Sequence, residues 1–419
     1  MGATIIRNAF VWDGTGKDSF PGSVLIEGNC IAAVASGPEA PISPGAMEID
    51  GRGRTLMPGM IDGHSHLSFT DIAAGPVLGA IPPEEHTLKT MHNARTVLDA
   101  GFTGAYGAAS AKVRLDVVIR EEIEAGRIPG PRLRAASPEI TVSAGLGDAN
   151  LLHMPRDSFG LVANGVDEIV RAVRLCVREG VDNIKINISG QDLFDAEKSV
   201  MKEDEVRAAV ETAHEFGKQV AAHARASESV KRAVRCGVDV IYHCDFADEE
   251  ALDALEAAKD RIFCAPAIGL QHSALHDAEP WGITTEMAEA RGVRRLIERS
   301  SETHVAMRER GIRIAIGGDY GFAWNPQGTN ARDIEHFVNY FGFSPNEALQ
   351  AATKVGGELM GNQTGLIQEG WLADLLLVDG NPLDDVTLLQ DRDRLAMIMK
   401  DGQLHKAPPA TELGQLAAR

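Results

Sequence analysis

The chain has 419 residues, of which 44% are hydrophobic and 43 are glycine, and 41 basic against 60 acidic side chains give it a formal net charge of −19. Phosphate repels so acidic a chain, which argues against nucleic acid or an anionic membrane as partner; a small anionic substrate stays open, since a pocket can carry a local charge of the opposite sign. No apolar run approaches the ~18 residues needed to cross a bilayer, and the start Met1-Gly-Ala-Thr-Ile-Ile-Arg7 fits neither a secretory signal nor a myristoylation site. Five cysteines (Cys30, Cys176, Cys236, Cys244, Cys264) are odd in number and lack metal-pair spacing, so they are expected to be buried thiols in a reducing, cytoplasmic compartment.

In chain order, residues 1–57 read as short strands, Ala3–Trp12, Gly22–Glu27 and Cys30–Ala35, with Asp13-Gly14, Gly16 and Gly28-Asn29 as turns. The same texture returns in Gly370–Val378 and Leu395–Gly402. Neither end has enough strands for a stable sheet of its own, so residues 1–57 and 362–419 are expected to join in one small β-sandwich domain. Between them, over 58–361, strand-like runs alternate with helical patterns. The hydrophobic run Thr55–Ile61 leads into His64, and Gly101–Tyr106, Arg132–Ala136, Asn183–Ile188, Gln219–His223, Val238–His243, Arg261–Cys264 and Arg313–Gly317 follow. The intervening Asp204–Gly217 has the acidic start and glycine stop of a helix. Eight such units over about 300 residues read as an α/β fold, a (β/α)8 barrel of the TIM type, with its chemistry at the C-terminal ends of the strands.

The stretch Pro58-Gly-Met-Ile-Asp-Gly-His64-Ser-His66 carries two histidines one residue apart. On a strand such residues point to the same face, so both imidazoles can converge on one cation. Lys185 lies in the fourth expected strand, His223 ends the fifth, His243 ends the sixth and Asp319 follows the eighth. Taken singly, each reads rather as a satisfied core residue or a helix cap. Six ligand-type side chains from five strands, all facing one mouth, point to a metal site.

These segments resemble the amidohydrolase superfamily, in its imidazolonepropionase-like and prolidase-like branch. The resemblance rests on Pro58–His66, on Phe216–His223 through Gly237–His243, on Ile316-Gly-Gly-Asp319 and on Gln363–Pro382, and it covers nearly the whole chain. It implies a carbon dioxide adduct, a carbamate, on Lys185 that bridges two divalent metal ions. His64, His66 and Asp319 would then bind one ion, and His223 and His243 the other. The chemistry suits a lysine there, because burial eases its deprotonation and the carbamate offers two anionic oxygens; an ion-paired, unmodified Lys185 is the other reading. Two cations ~3.5–4 Å apart would acidify a bridging water, whose hydroxide attacks a carbonyl. Asp319 would be the catalytic residue that takes the proton and passes it to the departing amine. Zinc is the first choice for this N/O ligand set, with manganese, cobalt and iron as alternatives.

The reaction so implied is hydrolysis of an amide-type C–N bond. A mononuclear deaminase or cyclic-amide hydrolase is the alternative, but deaminating relatives carry a glutamate soon after the fifth-strand histidine, and Glu228 falls two positions too late. A non-catalytic scaffold relative would lose ligands, and none is lost. Relatives with Gly-Gly-His-Gly after strand three differ from Ser143-Ala-Gly-Leu146-Gly-Asp148 here, so Leu146 makes that rim apolar; His153 either compensates or lies in a loop, the loop being favoured. After strand two, Ala105-Tyr-Gly-Ala108 replaces the family's Arg-Asp pair. Arg225 is placed to bind a substrate carboxylate or, as the favoured reading, to form an ion pair. Tyr320, Phe322 and Trp324 either wall an aromatic pocket or anchor a loop. The segment 265–300, with His272, His276 and Trp281, is expected to cover the substrate. The expected substrate is a small molecule: a bulky N-acyl amino acid, dipeptide, aryl amide or carbamate. Self-association of relatives implies a homo-oligomer.

Overall fold

The computed structural model describes residues 2–37, 43–154, 158–190 and 196–415; the expected end segments 1–57 and 362–419 are followed within those limits. The first five strands are β1 (Ala3–Val11), β2 (Phe20–Glu27), β3 (Cys30–Ser36), β4 (Met47–Asp50) and β5 (Thr55–Pro58). β1, β2 and β3 form an antiparallel meander. β1 is bulged between Ile6 and Ala9, where Asn8 takes a left-handed φ of 52°. Before the bulge β1 pairs with β4, and after it with β5. A bulge of this kind lets a strand turn from one partner to another.

Then strands alternate with helices. β6 (Met60–Ser65), α1 (Pro83–Asp99), β7 (Phe102–Gly107), α2 (Leu115–Glu124), β8 (Arg132–Arg134), β9 (Ala136–Thr141), β10 (Gly160–Val162) and α3 (Val166–Arg178) come first. β11 (Asn183–Asn187), α4 (Glu203–Glu215), β12 (Gln219–Ala226), α5 (Ser227–Cys236), β13 (Val240–Phe246), α6 (Glu249–Ala257), β14 (Phe263–Ala265), α7 (Ile268–His276), α8 (Val293–Glu309) and α9 (Arg332–Phe341) follow. All pairings among β6–β14 are parallel, in two sheets, β6-β7-β8 and β10-β9-β11-β12-β13-β14. Such strands are covered on both faces and read as continuous apolar runs; Ala221, Ala222 and Ala224 of β12 are wholly buried. The helices cover the sheets through one face each. In α4, Val206, Ala209, Val210 and Ala213 are buried at helical spacing. Its N-terminus is held by Glu205, which accepts from Lys202 N at 2.8 Å, and the chain leaves it at Gly217, φ 66°.

The chain end supplies β15 (Leu375–Val378), β16 (Leu395–Lys400), β17 (Gln403–Lys406) and β18 (Leu413–Gln415). They complete one nine-stranded sheet with β1–β5, β15 lying against β5 and β18 against β4. Ile6, Val11, Val24, Ile31, Leu56, Leu375 and Met397, drawn from both ends, share one apolar cluster.

Several expected elements differ, among them Arg132–Ala136, which divides between β8 in one sheet and β9 in the other. The run Thr55–Ile61 divides at Gly59, so its first half pairs in the nine-stranded sheet and its second half in β6-β7-β8. β12 and β13 run past their histidines and carry Arg225 and Asp245 within the strands. Arg313–Gly317 forms a single bridge, Cys264 to Ile314, rather than a ladder. Its remaining bonds go elsewhere: Gly63 N donates to Ile316 O at 2.9 Å, and Gly317 N to the Asp333 carboxylate at 2.8 Å.

Gly317 lets this segment pass close to the first histidine, since a Cβ there would stand 2.5 Å from His64 Cβ and 2.6 Å from His64 N. Gly317→Ala is expected to cost about 1–3 kcal/mol by overpacking, measured by denaturant unfolding, and to weaken metal uptake in the same sample.

Candidate metal centre

His64 is the fifth residue of β6, and His66 lies just beyond its end. Asp319 meets both: its Oδ1 stands 3.2 Å from His66 Nε2 and 4.0 Å from His64 Nε2. His66 Nδ1 faces the Ala109 carbonyl at 3.1 Å, which can only accept. A neutral His66 gives its one N–H to Ala109, leaving the Nε2 lone pair against a carboxylate oxygen. A shared cation turns that opposition of acceptors into attraction. His223 and His243, from neighbouring β12 and β13, form a second pair with ring centres 4.3 Å apart, and His243 lies 5.3 Å from His64. Three buried ring nitrogens, His64 Nδ1, His223 Nε2 and His243 Nδ1, have no hydrogen-bond partner. Buried polar atoms are normally satisfied, so a set of unpaired imidazole nitrogens beside a carboxylate fits a cation site.

Burial pushes the pKa values of His64, His223 and His243 well below that of an ordinary imidazole, with Asp319 opposing the shift at His64 and Lys185 and Arg225 reinforcing it. Burial alone would raise Asp319, but His64, His66 and Lys185 outweigh it and hold the carboxyl below the usual carboxylate range. The result is neutral imidazoles at His64, His223 and His243 and an anionic oxygen at Asp319, the protonation states a metal requires. Lys185 is buried in β11 with its Nζ 4.5 Å over the Tyr242 ring. Burial lowers its pKa to about 8, against the opposing charges of Glu139 and Asp319. A usable fraction of free amine, the form that combines with carbon dioxide, follows from that value.

Tyr242, Glu139, Asp245 and Gln271 have places here that the sequence did not reveal. Tyr242 stacks on His64 at 3.8 Å although it directly precedes His243. Strand alternation would send neighbours to opposite faces, but His243 has φ 75° and Cys244 φ 58°, which breaks the alternation. Asp319 is also left-handed, φ 59°. Non-glycine residues in this region store of order 1–3 kcal/mol each and tend to mark functional sites. Glu139 lies opposite Lys185 in register and accepts from Asn187 Nδ2 at 2.8 Å; Asn187 also donates to Leu146 O at 2.9 Å.

The rim residues divide. Leu146 is half-buried, and Trp324 is half-buried and stacked with Phe322 at 5.8 Å. His153 is exposed in the turn Leu151–Met154. Tyr320 does not wall a pocket, because its ring is fully buried and its hydroxyl donates to Asn330 O at 3.4 Å. Arg225 is not a free carboxylate binder: it is buried, its Nη1 donates to Asp245 Oδ2 at 2.5 Å, and the Gln271 amide oxygen accepts from Nη2 at 2.8 Å. The segment 265–300 is largely helical, with Trp281 exposed. Near the centre, Phe69 is buried, stacked on His66 at 4.1 Å and met edge-on by Phe159 and Phe322.

Two outcomes follow. Arg225→Ala strands a buried Asp245 charge and is expected to destabilise by about 3–5 kcal/mol, while adding Asp245→Ala recovers part of the loss, read as a double-mutant cycle in denaturant unfolding. The pH effect follows from His64, His223 and His243, whose folded pKa values lie below the ordinary 6.5. The unfolded chain therefore binds more protons once the pH falls below that value. Metal-free protein should hold this stability above pH ~6.5 and lose it progressively toward the folded values, as thermal melts from about pH 7.5 to about 5 would measure.

Comparison with known proteins adds the lineage. Ochratoxinase of Aspergillus niger is 25% identical over 438 aligned residues, covering 97% of this chain and 87% of the relative. Imidazolonepropionase of Rubrobacter xylanophilus is 25% identical over 413, covering 92% and 91%. A solved structure of a Xaa-Pro dipeptidase with bound methionine in its active site matches with a TM-score of 0.84 at 27% identity, over 97% of this chain and 100% of that one. Residues 55–405 match the model of the Amidohydrolase family, and the chain belongs to that family of hydrolytic enzymes.

Proposed function

We propose that the protein is a binuclear metal-dependent hydrolase that cleaves an amide-type C–N bond in a small molecule. The observation that carries the reading is the meeting of His64 and His66 with the Asp319 carboxylate, beside the neighbouring pair His223 and His243, whose buried Nε2 and Nδ1 have no hydrogen-bond partner. His64, His66 and Asp319 would hold one ion, His223 and His243 the other, with the carbamate of Lys185 between them; zinc suits these donors. Bound divalent cations would polarise the scissile carbonyl and acidify water.

The chain's own groups do the rest. Lys185 Nζ, as free amine, forms a C–N bond to carbon dioxide and releases its proton, turning a cation into an anion with two oxygens. The Asp319 carboxylate takes the proton of the attacking water and delivers it to the departing nitrogen. The Ala109 carbonyl fixes the His66 tautomer, and Tyr242 and Phe69 hold the His64 and His66 rings in plane. The Phe69, Phe159 and Phe322 cluster favours an apolar or aryl acyl group, so an N-acyl amino acid or aryl amide is the preferred substrate class. Ochratoxinase and Xaa-Pro dipeptidase relatives lend this weight.

The fold in this reading is a (β/α)8 barrel over 58–361. The Gly63–Ile316 and Ser110–Ser137 backbone bonds would seal it at two seams, and the Cys264–Ile314 bridge would bring in its eighth strand. Residues 1–57 and 362–419 form the companion β-sandwich, with β1 turning at Asn8 from one layer to the other. Five free thiols are consistent with a reducing, cytoplasmic setting, and a homo-oligomer remains the expectation. A mononuclear deaminase or cyclic-amide hydrolase is the second reading. It is favoured by one observation: among the described residues only His64, His66 and Asp319 bring three ligand atoms within 4.8 Å of one another.

Metal analysis with intact-mass measurement on the native protein decides between them. Two ions per chain and a carbon dioxide adduct that Lys185→Ala abolishes are expected; one ion and an unmodified Lys185 would sink the binuclear reading. Asp319→Asn should lower kcat on a panel of N-acyl amino acids and aryl amides by about 10²–10⁴-fold.

A further inference from the structure

Away from the metal centre, three more histidines and a tyrosine meet where α7 packs near α9. His272 and His276 are one turn apart on α7, and His336 and Tyr340 one turn apart on α9, so each pair shares a helix face. The His272 ring centre lies 4.7 Å from that of His276 and 4.4 Å from that of His336. Their ring spacings resemble those in the candidate metal centre, 4.3 Å for His223 and His243 and 5.1 Å for His64 and His66, although the three residues do not bring their ligand atoms all within 4.8 Å of one another without a side-chain rotation. The rings are tilted against one another by 45° and 39° rather than stacked flat.

Their polar atoms are left to spare. His336 is buried at 4% exposure and makes no hydrogen bond among the described residues. His272 is half-buried and uses Nδ1 alone, 2.8 Å from the Tyr340 hydroxyl. His276 is exposed and lines, with Tyr340, an open cavity of about 400 Å³ that gives access from solvent. Burial pushes His272 down to about 4, with Arg332 and His276 adding to the shift and Asp277 and Glu335 opposing it. His336 is pushed down to about 3 by burial, His272, Arg332 and His276. Both imidazoles thus keep a lone pair at neutral pH.

We propose that His272, His276 and His336 form a second cation site, distinct from the amidohydrolase centre, that takes one late first-row divalent ion, with zinc as the representative. Ligation through His272 Nε2 leaves its Nδ1–H donating to the Tyr340 hydroxyl, the kind of second bond that orients metal-bound histidines. The exposed His276 closes onto the ion from the solvent side by side-chain rotation, and imidazole donors of this type suit zinc, copper or nickel. The site staples α7 to α9. α7 also carries Gln271, which holds Arg225, and Ser273, which donates to Asn325 Oδ1 at 3.2 Å. Asn325 Nδ2 in turn donates to the Gly318 and Asp319 carbonyls. An ion here stiffens the scaffold behind the Asp319 loop without touching the reacting atoms. None of this depends on the reading of the catalytic centre.

The test adds zinc to the full-length, metal-loaded protein and to His276→Ala, an exposed substitution that leaves the interface packed. Zinc retained per chain after desalting and the melting temperature are measured for both. The wild type is expected to retain one zinc per chain more than the variant, to bind it at least tenfold more tightly, and to gain a zinc-dependent rise in melting temperature that the variant lacks. Equal retention and equal melting shifts in the two proteins overturn the proposal. The comparison is a difference between two proteins with the same amidohydrolase centre, so it reads the second site whatever that centre binds.

Discussion

Removing four imidazoles, a carboxylate and a lysine from water, and gathering them at one place, is the constraint around which the rest of the molecule is arranged. Desolvation favours the neutral forms of His64, His223 and His243 and the free amine of Lys185. The same desolvation would neutralise Asp319, yet the neighbouring nitrogens keep it anionic. Desolvation at His64, His223, His243 and Lys185, and the close approach of other groups at Asp319, thus favour the states that bind a cation, and leave the cluster costly unless something positive sits within it.

Holding such a cluster takes a rigid and crowded backbone. Gly317 allows the eighth segment to lie against His64 with no room for a Cβ, and Gly63 donates across the same contact. Left-handed φ values at His243 and Asp319 turn their side chains inward at positions where an extended strand would not. Behind them, Arg225, Asp245 and Gln271 form a buried charged layer that neutralises itself. Arg225 therefore contributes position and local potential, a different part from contacting substrate. The neighbouring α7 links that layer to the Asp319 loop through Ser273 and Asn325.

Much of this was legible because it depends on local pattern. The His64-Ser-His66 spacing, the apolar runs that became β7, β11, β12 and β13, and the acidic start and glycine stop of α4 each follow from periodicity of two or 3.6 and from capping chemistry. The pairing of the chain ends followed from counting strands too few to stand alone. What stayed hidden depends on conformations that break those patterns. Tyr242 was invisible as a site residue because alternation assigns it to the face opposite His243. Tyr320 looked like a wall and is an interior anchor, because the chain turns at Asp319 and buries its ring. Arg225 was ambiguous because its partner, Asp245, lies on the next strand.

Residue type and spacing therefore supplied the candidate donors, the strand and helix alternation and the family resemblance, since all of these are written in short-range order along the chain. Which donors meet, which charges are already paired, and which face each ring turns toward were settled by long-range packing. Asp319 reaches His66 across more than two hundred residues of chain, Asp245 claims Arg225 from a neighbouring strand, and His272 finds His336 on a different helix. Those contacts depend on strand register, on a few left-handed backbone angles and on the energetic need to satisfy buried charge, none of which a linear pattern of residues expresses.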